Sequence, residues 1–226
     1  MRSSSATGFL AAVLLVALLV VVVWAGRRGL ADVVAQEPRF EIERWRAGKL
    51  VPDQIKLNVI QAELHKALEL DPGNPNLLDD LGRFYAIRVE PRQPSDMNVR
   101  EIRQQSLTYF RQLLELRPTS GHAYVNVALM KFWLGEIDQE FSLSLQQALR
   151  RSPWEPQVQL ITIELGLASW PALSDSGRQA IQRAIRAQGE WKLVNQLPSL
   201  LSLLKRYNRP DLACLLGGEQ KPCGAS

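Results

Sequence analysis

The side chains best suited to chemistry are few and scattered. There are two histidines, His65 and His122, and neither has a cysteine or carboxylate cluster beside it at metal-ligand spacing. His65 lies between Leu64 and Lys66 in an apolar-periodic stretch, which suits a helix seam. His122 follows Gly121 at a helix start, where a capping role suffices. The adjacent acids Asp79 and Asp80, and the pair Glu136 and Asp138, fall at helix starts or on helical faces. Carboxylates there serve as caps or solvated groups more readily than as an acid/base pair. The two cysteines, Cys214 and Cys223, frame "CLLGGEQKPC". Eight intervening residues match neither a metal-ligand nor a thioredoxin spacing. The loop can bring the thiols together in an oxidising compartment, or leave them reduced in the cytosol. No Gly-rich phosphate loop, G-x-S-x-G or H-E-x-x-H is present. These residues predict no enzyme, no cofactor and no metal site.

Composition points the same way. Hydrophobic residues make up 46% of the 226 and charged residues 22%, an ordinary globular balance. A net charge of +4, from 27 basic and 23 acidic side chains without a basic tract, gives no footprint for nucleic acid. Six scattered tryptophans give no stacking platform for bases or sugars. No small-molecule substrate is predicted.

The elements that carry these residues read as helices. Apolar residues recur near helical spacing over 53–70, 75–88, 99–116, 120–134, 138–151, 157–169 and 174–188, with a shorter stretch at 37–47 and a last one at about 190–206, broken or kinked at Pro198. Gly48 interrupts after the first of these, and Pro52 suits a first helical turn. "VEPRQPSDMN" (89–98) is a loop. Pro72, Pro118 and Pro153 each close a helix ending in "ALEL", "LLEL" or "ALRR". The last two are 35 residues apart and the first two 46, the excess matching the 89–98 loop. A helix–turn–helix unit at an interval near 34 residues is the tetratricopeptide period. Small residues, Gly82 and Ala128, stand where helices of such a unit touch. Phe141 or Glu140 occupies the place where an alanine normally packs, a departure from the pattern. The first helix of each pair lines the concave face of such an array, and partners bind there. On that register the partner-binding residues are Asn76, Asp79 and Arg83 in one unit and Val125, Leu129, Phe132 and Trp133 in the next. The alternative for the second set, an apolar strip, is cover by the array's own terminal helix.

The N-terminus carries a different signal. From Gly8 to Ala25, "GFLAAVLLVALLVVVVWA" holds 18 residues without a polar side chain. As a helix it spans roughly 27 Å, near the ~30 Å of bilayer hydrocarbon. Trp24 suits the interface. A cleaved signal peptide is the other reading, against which stand the long apolar core and a best small-residue site, Val33-Val34-Ala35, ten residues further on. Arg2 and the terminal amine precede the span and Arg27 and Arg28 follow it, so flanking charge scarcely fixes orientation.

One stretch carries a more specific likeness. "LGEIDQEF" (Leu134–Phe141), "SPWEPQVQ" (Ser152–Gln159) and "GLASWPALSDSGR" (Gly166–Arg178), with "WAGRRGLADVVA" after the span, resemble the VpsP-like family of bacterial polysaccharide-biosynthesis proteins. The resemblance covers most of the chain, and "PWEP" is its most specific piece. It implies an accessory factor of exopolysaccharide synthesis or export, with protein partners in that machinery, and it brings no catalytic residues. Locally, "SPWEP" is a seam: Pro153 ends one helix, Pro156 starts the next, and Trp154 is placed to plug the junction, as Trp170-Pro171 is at the following one.

The combined expectation is an all-α chain, with an N-terminal transmembrane helix followed by a tetratricopeptide-like helical-repeat array. Its parts are a tail (1–7), a span (8–25), a linker (26–37), a repeat domain with a capping helix (38–206) and a C-terminal tail (207–226). It would be a single-pass protein of the bacterial inner membrane with its body on the periplasmic side, acting as an adaptor through protein–protein contact. A glycan-binding or glycan-active component, or a general cell-envelope assembly factor, are the alternatives.

Overall fold

The computed structural model describes residues 3–48, 53–89, 97–190 and 197–217, and every regular element among them is a helix. The α-helices are α1 (Ser3–Arg46), α2 (Gln54–Leu70), α3 (Pro75–Val89), α4 (Met97–Leu116), α5 (Gly121–Leu134), α6 (Gln139–Arg151), α7 (Pro156–Ala168), α8 (Asp175–Glu190) and α9 (Leu197–Arg206). Two 3₁₀ segments, Trp170–Ala172 and Pro210–Gly217, complete the described chain. It falls into two compact units, Met1–Ile87 and Arg88–Ser226. The single body expected over 38–206 is therefore divided, at the last turn of α3. Pro52 and most of the 89–98 loop lie outside the described residues.

In the first unit α1 runs 44 residues without a break. Residues 26–37, expected as a linker, are helical. The physical reason is a buried stripe: Ala31, Ala35, Pro38, Ile42 and Trp45 repeat at four- and three-residue steps and are all buried. Facing them, Leu57, Ile60, Leu64 and Ala67 of α2 repeat at three- and four-residue steps and are buried too. Two such seams meet as in a short coiled coil. Pro38 lacks an N–H for the carbonyl one turn back, a cost of about 3 kcal/mol in a helix interior. Burying Ile42 and Trp45 outweighs that, at roughly 1.5–3 kcal/mol for each large side chain. Helix α1 ends through Gly48, whose φ of +66° suits only glycine well and whose N–H reaches the carbonyl of Trp45.

Helix α3 closes this unit. Leu77 joins Ala31, Ala35 and Ala67 in one apolar cluster. The Phe84 ring lies 6.4 Å from Trp45 and edge-on to Tyr85 at 5.3 Å. Arg39 Nε donates to Asp80 Oδ2 at 2.6 Å, tying α1 to α3. Gly82 is buried, as its place in a helix seam requires. Ahead of the stripe, the apolar span is wholly unburied by the protein.

In the second unit the connections from α4 to α7 are short and chemically explicit. Pro118 follows the end of α4. Ser120 caps α5 by accepting the Ala123 N–H, and Gly135, at φ +76°, closes it in the left-handed conformation. Asp138 caps α6 through the Phe141 N–H. Pro156 opens α7 at its first turn. Each helix from α4 to α7 touches its successor. In addition α5 touches α7, α6 touches α8, and α7 touches α9. Val125, Ala128, Phe141, Leu145, Ile163 and Ile181 share one core with residues of α9 and the last 3₁₀ segment. Pro198 lies in the first turn of α9, where a missing N–H leaves no ladder bond unmade. Pro210–Gly217, expected in a tail, packs on α8 and α9 with Leu212 buried, because its apolar residues complete the core edge.

Candidate functional site

The densest charged cluster is built where α5 hands over to α6. Lys131 sits in the last turn of α5, where a cation complements the helix carbonyls. Its side chain is 2% exposed, yet Nζ lies 3.3 Å from Glu136, 2.9 Å from Asp138 and 2.9 Å from Glu140. Arg111 of α4 holds Glu140 with two bonds, at 2.8 and 2.6 Å, and Arg100 reaches Glu136 at 3.4 Å. Arg103 Nη1 donates to the Trp133 carbonyl at 2.7 Å, with its guanidinium over the Trp133 ring. The three acids Glu136, Asp138 and Glu140 are thus matched by the three bases Lys131, Arg100 and Arg111. Burial pushes the Asp138 carboxyl up, but the Phe141 N–H and the Lys131 ammonium outweigh it and hold the acid below its ordinary range. Arg111, then Lys131, holds Glu140 down against burial. Burial pulls Lys131 down, and Asp138 and Glu140 more than reverse it. An acid held ionised beside a cation held charged is a poor proton donor or acceptor near neutrality. The cluster is a clasp joining α4, α5 and α6.

The expected acid pairs and histidines resolve into ties of the same sort. Asp79 pairs with Arg83 at 2.6 Å, and Arg83 also reaches Glu43 of α1 at 3.2 Å. Asp80 carries the bond to Arg39; burial there exceeds the pull of the guanidinium, so its carboxyl is raised. These two acids are thus half-buried ion-pair partners, a correction to the cap or solvated reading. His65 Nε2 is 3.1 Å from the Tyr85 hydroxyl, in the seam between α2 and α3. His122 does not cap α5, because Ser120 does; it pairs with Glu155 beside the next connection. Among the described residues no group of three or more His, Cys, Asp or Glu is placed to hold a metal ion. Cys214 is disulfide-bonded. Cys223 lies outside the described residues.

The expected partner face is only partly a surface. Asn76 is exposed, while Asp79 and Arg83 are half-buried and bonded to each other. Val125 is in the core, and Leu129 and Phe132 pack against that core. The apolar strip is therefore covered by the second unit's own helices, because α5 is flanked by α4, α6 and α7. Trp133 is half-buried under Arg103. At the seams, Trp170 does plug its junction, with Arg209 4.1 Å over its ring and Arg178 bonded to its carbonyl. Trp154 does not, and is 75% exposed.

Two grooves were not foreseen. One, of about 420 Å³, lies between α6 and α8. Arg150 and Arg183 stand on its rim, Ala180, Ala184 and Ala187 line one wall, and among the described residues no acid contributes to it. Gln159 at its base is held by the carbonyls of Ser152 and Leu149, at 2.9 and 3.4 Å. The sequence signal was the small stripe Ala180–Ala184–Ala187, which leaves room that larger residues would fill. The other groove, of about 470 Å³, lies in the first unit between the end of the apolar span and the α2–α3 turn.

No protein-family model matches the chain, and no curated protein matches it significantly. Among the described residues the chain is all-helical, with one helix, α1, long and apolar enough to cross a membrane.

Proposed function

We propose that this is a single-pass, membrane-anchored adaptor that binds protein components of a bacterial exopolysaccharide synthesis or export complex. The observation that carries the adaptor reading is the unbroken α1. It joins an 18-residue apolar span to a packed helical body through one buried seam, so the first unit is held rigidly at the membrane. A repeat architecture is favoured by the contacts of α5 with α7, α6 with α8 and α7 with α9. Stacking of each helix on its next-but-one neighbour is how tetratricopeptide-like pairs cover their apolar faces. The polysaccharide setting rests on the resemblance of "LGEIDQEF", "SPWEPQVQ" and "GLASWPALSDSGR" to the VpsP-like family. In the second unit the α6–α8 groove is the partner surface of choice. Arg150 and Arg183, with no acid among the described residues lining the groove, suit an acidic segment of a partner protein.

The test combines deletion with a charge reversal. Loss of the chain should lower secreted polysaccharide in a bacterium that encodes it. Arg150→Glu with Arg183→Glu should reproduce that loss, because both side chains are exposed and the fold does not need them. In-cell crosslinking should capture a polysaccharide-assembly protein with the native chain and not with the reversed one. Unchanged polysaccharide after deletion would refute the setting, and unchanged crosslinking would refute the groove.

A further inference from the structure

The groove beside the span has an unusual pair of walls. One is made by Leu19, Val20 and Val23 of α1, inside the apolar window. The other is the α2–α3 turn, Leu70-Asp71-Pro72. Its rim carries Trp24, next to Val23, and Arg27 and Arg28 about one turn further on. Arg27 bridges the walls, donating to the carbonyls of Leu70 at 3.3 Å and Glu69 at 3.1 Å. Arg28 lies 3.8 Å over the Trp24 ring and 3.3 Å from Asp71 Oδ1. Two cations and one acid leave the rim with a net positive charge.

We propose that this groove seats an anionic glycerophospholipid of the bilayer, with an acyl chain along Leu19, Val20 and Val23 and the phosphate at Arg27 and Arg28. The inference rests on α1 crossing a membrane. Two arguments then select the occupant. The apolar wall is continuous with the lipid-facing side of the span, so the groove opens directly onto acyl chains. The guanidinium groups are carried at least one helical turn beyond Val23, about 6 Å or more along the axis, with the indole of Trp24 between, which is the step from hydrocarbon to headgroup. Arg27 and Arg28 are attached to the α2–α3 turn through its carbonyls and Asp71, so a phosphate bound there draws that turn into the headgroup layer. The first unit would lie against the membrane surface instead of standing away from it. The assignment is the same for either orientation of the span.

The full chain, purified in detergent, is mixed with equal amounts of phosphatidylglycerol and phosphatidylcholine, and lipid adducts are read by native mass spectrometry. The phosphatidylglycerol adduct should exceed the other by about fivefold, the preference one basic side chain gives for an anionic lipid surface. Arg28→Gln should bring the ratio close to one, and Arg28→Lys should keep it. Equal adducts in the native chain, or an undiminished ratio in Arg28→Gln, would overturn the lipid site. Carbonate extraction of the native chain from cell membranes is run alongside. Release into the soluble fraction would overturn the span itself, whereas a retained chain without lipid preference would overturn the groove alone.

Discussion

Lys131 Nζ lies 2.9 Å from Asp138 Oδ2, an ammonium almost wholly buried against a carboxylate that is half exposed. The asymmetry decides what the bond is for. The cation is fixed by packing at the end of α5, and the acid is placed by its own duty as the cap of α6. One contact therefore sets the geometry of two helix ends at once.

Replacing the cation should show both effects. Lys131→Met keeps the aliphatic stem but leaves Glu136, Asp138 and Glu140 to Arg100 and Arg111 alone. A charged hydrogen bond contributes roughly 1.5–3 kcal/mol, so urea unfolding should report a loss of about 2 kcal/mol. The pH profile follows from the directions of titration. Asp138 and Glu140 are held below 3.8 and 4.5, so their contribution is complete above those values and is lost as pH falls through the lower folded ones. Lys131 is raised above 10.5, so its contribution is complete below that value and is lost as pH rises through the higher folded one. Stability should therefore be flat with respect to this cluster from about pH 5 to about pH 10. Lys131→Met should make both limbs shallower; identical limbs in the two proteins would mean the cluster contributes nothing.

Close helix approaches give a second prediction. A Cβ on Gly121 would fall 2.6 Å from the Ser152 Cβ and 3.1 Å from its backbone nitrogen, which is itself bonded to the Ala148 carbonyl. A Cβ on Gly166 would fall 2.5 Å from Cγ1 of the buried Ile181. Overpacking of this kind costs about 1–3 kcal/mol. Gly121→Ala should be the worse of the two, since backbone yields less than a side chain. Gly73 has open space around it, and Gly73→Ala should be neutral or stabilising by up to about 1 kcal/mol. Equal melting temperatures for all three would show that these packings are not as close as described.

The helices were legible because proline and glycine punctuate them. Pro72, Pro118, Pro153 and Pro156 fall where the periodic segments stop or start, and Ser120, Gly135 and Asp138 fit their caps. The linker expected over 26–37 was misplaced: the Ala31–Ala35–Pro38–Ile42–Trp45 stripe finds a matching seam on α2, so tertiary burial keeps this stretch helical through Pro38. The division near residue 88 was not legible, because it follows from which faces pair and not from any one segment. Part of the expected partner face lies inside the fold for a related reason. Helical spacing placed Val125, Leu129 and Phe132 on one stripe correctly, but spacing cannot say whether a stripe meets a partner or the chain's own helices. The α6–α8 groove left only an alanine stripe in the sequence. Alanines there read equally well as a close helix seam.

The remaining prediction concerns the side of the membrane on which the body lies. Arg2 on one side of the span and Arg27 and Arg28 on the other are too evenly matched to decide it. The thiols test it better, because a disulfide persists in an oxidising compartment and is kept reduced in the cytosol. With Cys223 as the partner of Cys214, across eight intervening residues, the closed loop would contribute roughly 2–3 kcal/mol in the chain-entropy model. The bond would hold the end of the chain at Pro210–Gly217, which packs on α8 and α9. Alkylating cells in the absence of reductant should therefore leave both thiols unmodified, with the protein in the membrane fraction even at high salt. Adding reductant first should expose both to label. Prompt labelling of both in unreduced lysates would place the body in the cytoplasm, and a soluble form beginning near Gly26 or Gln36 would replace the anchor with a cleaved signal.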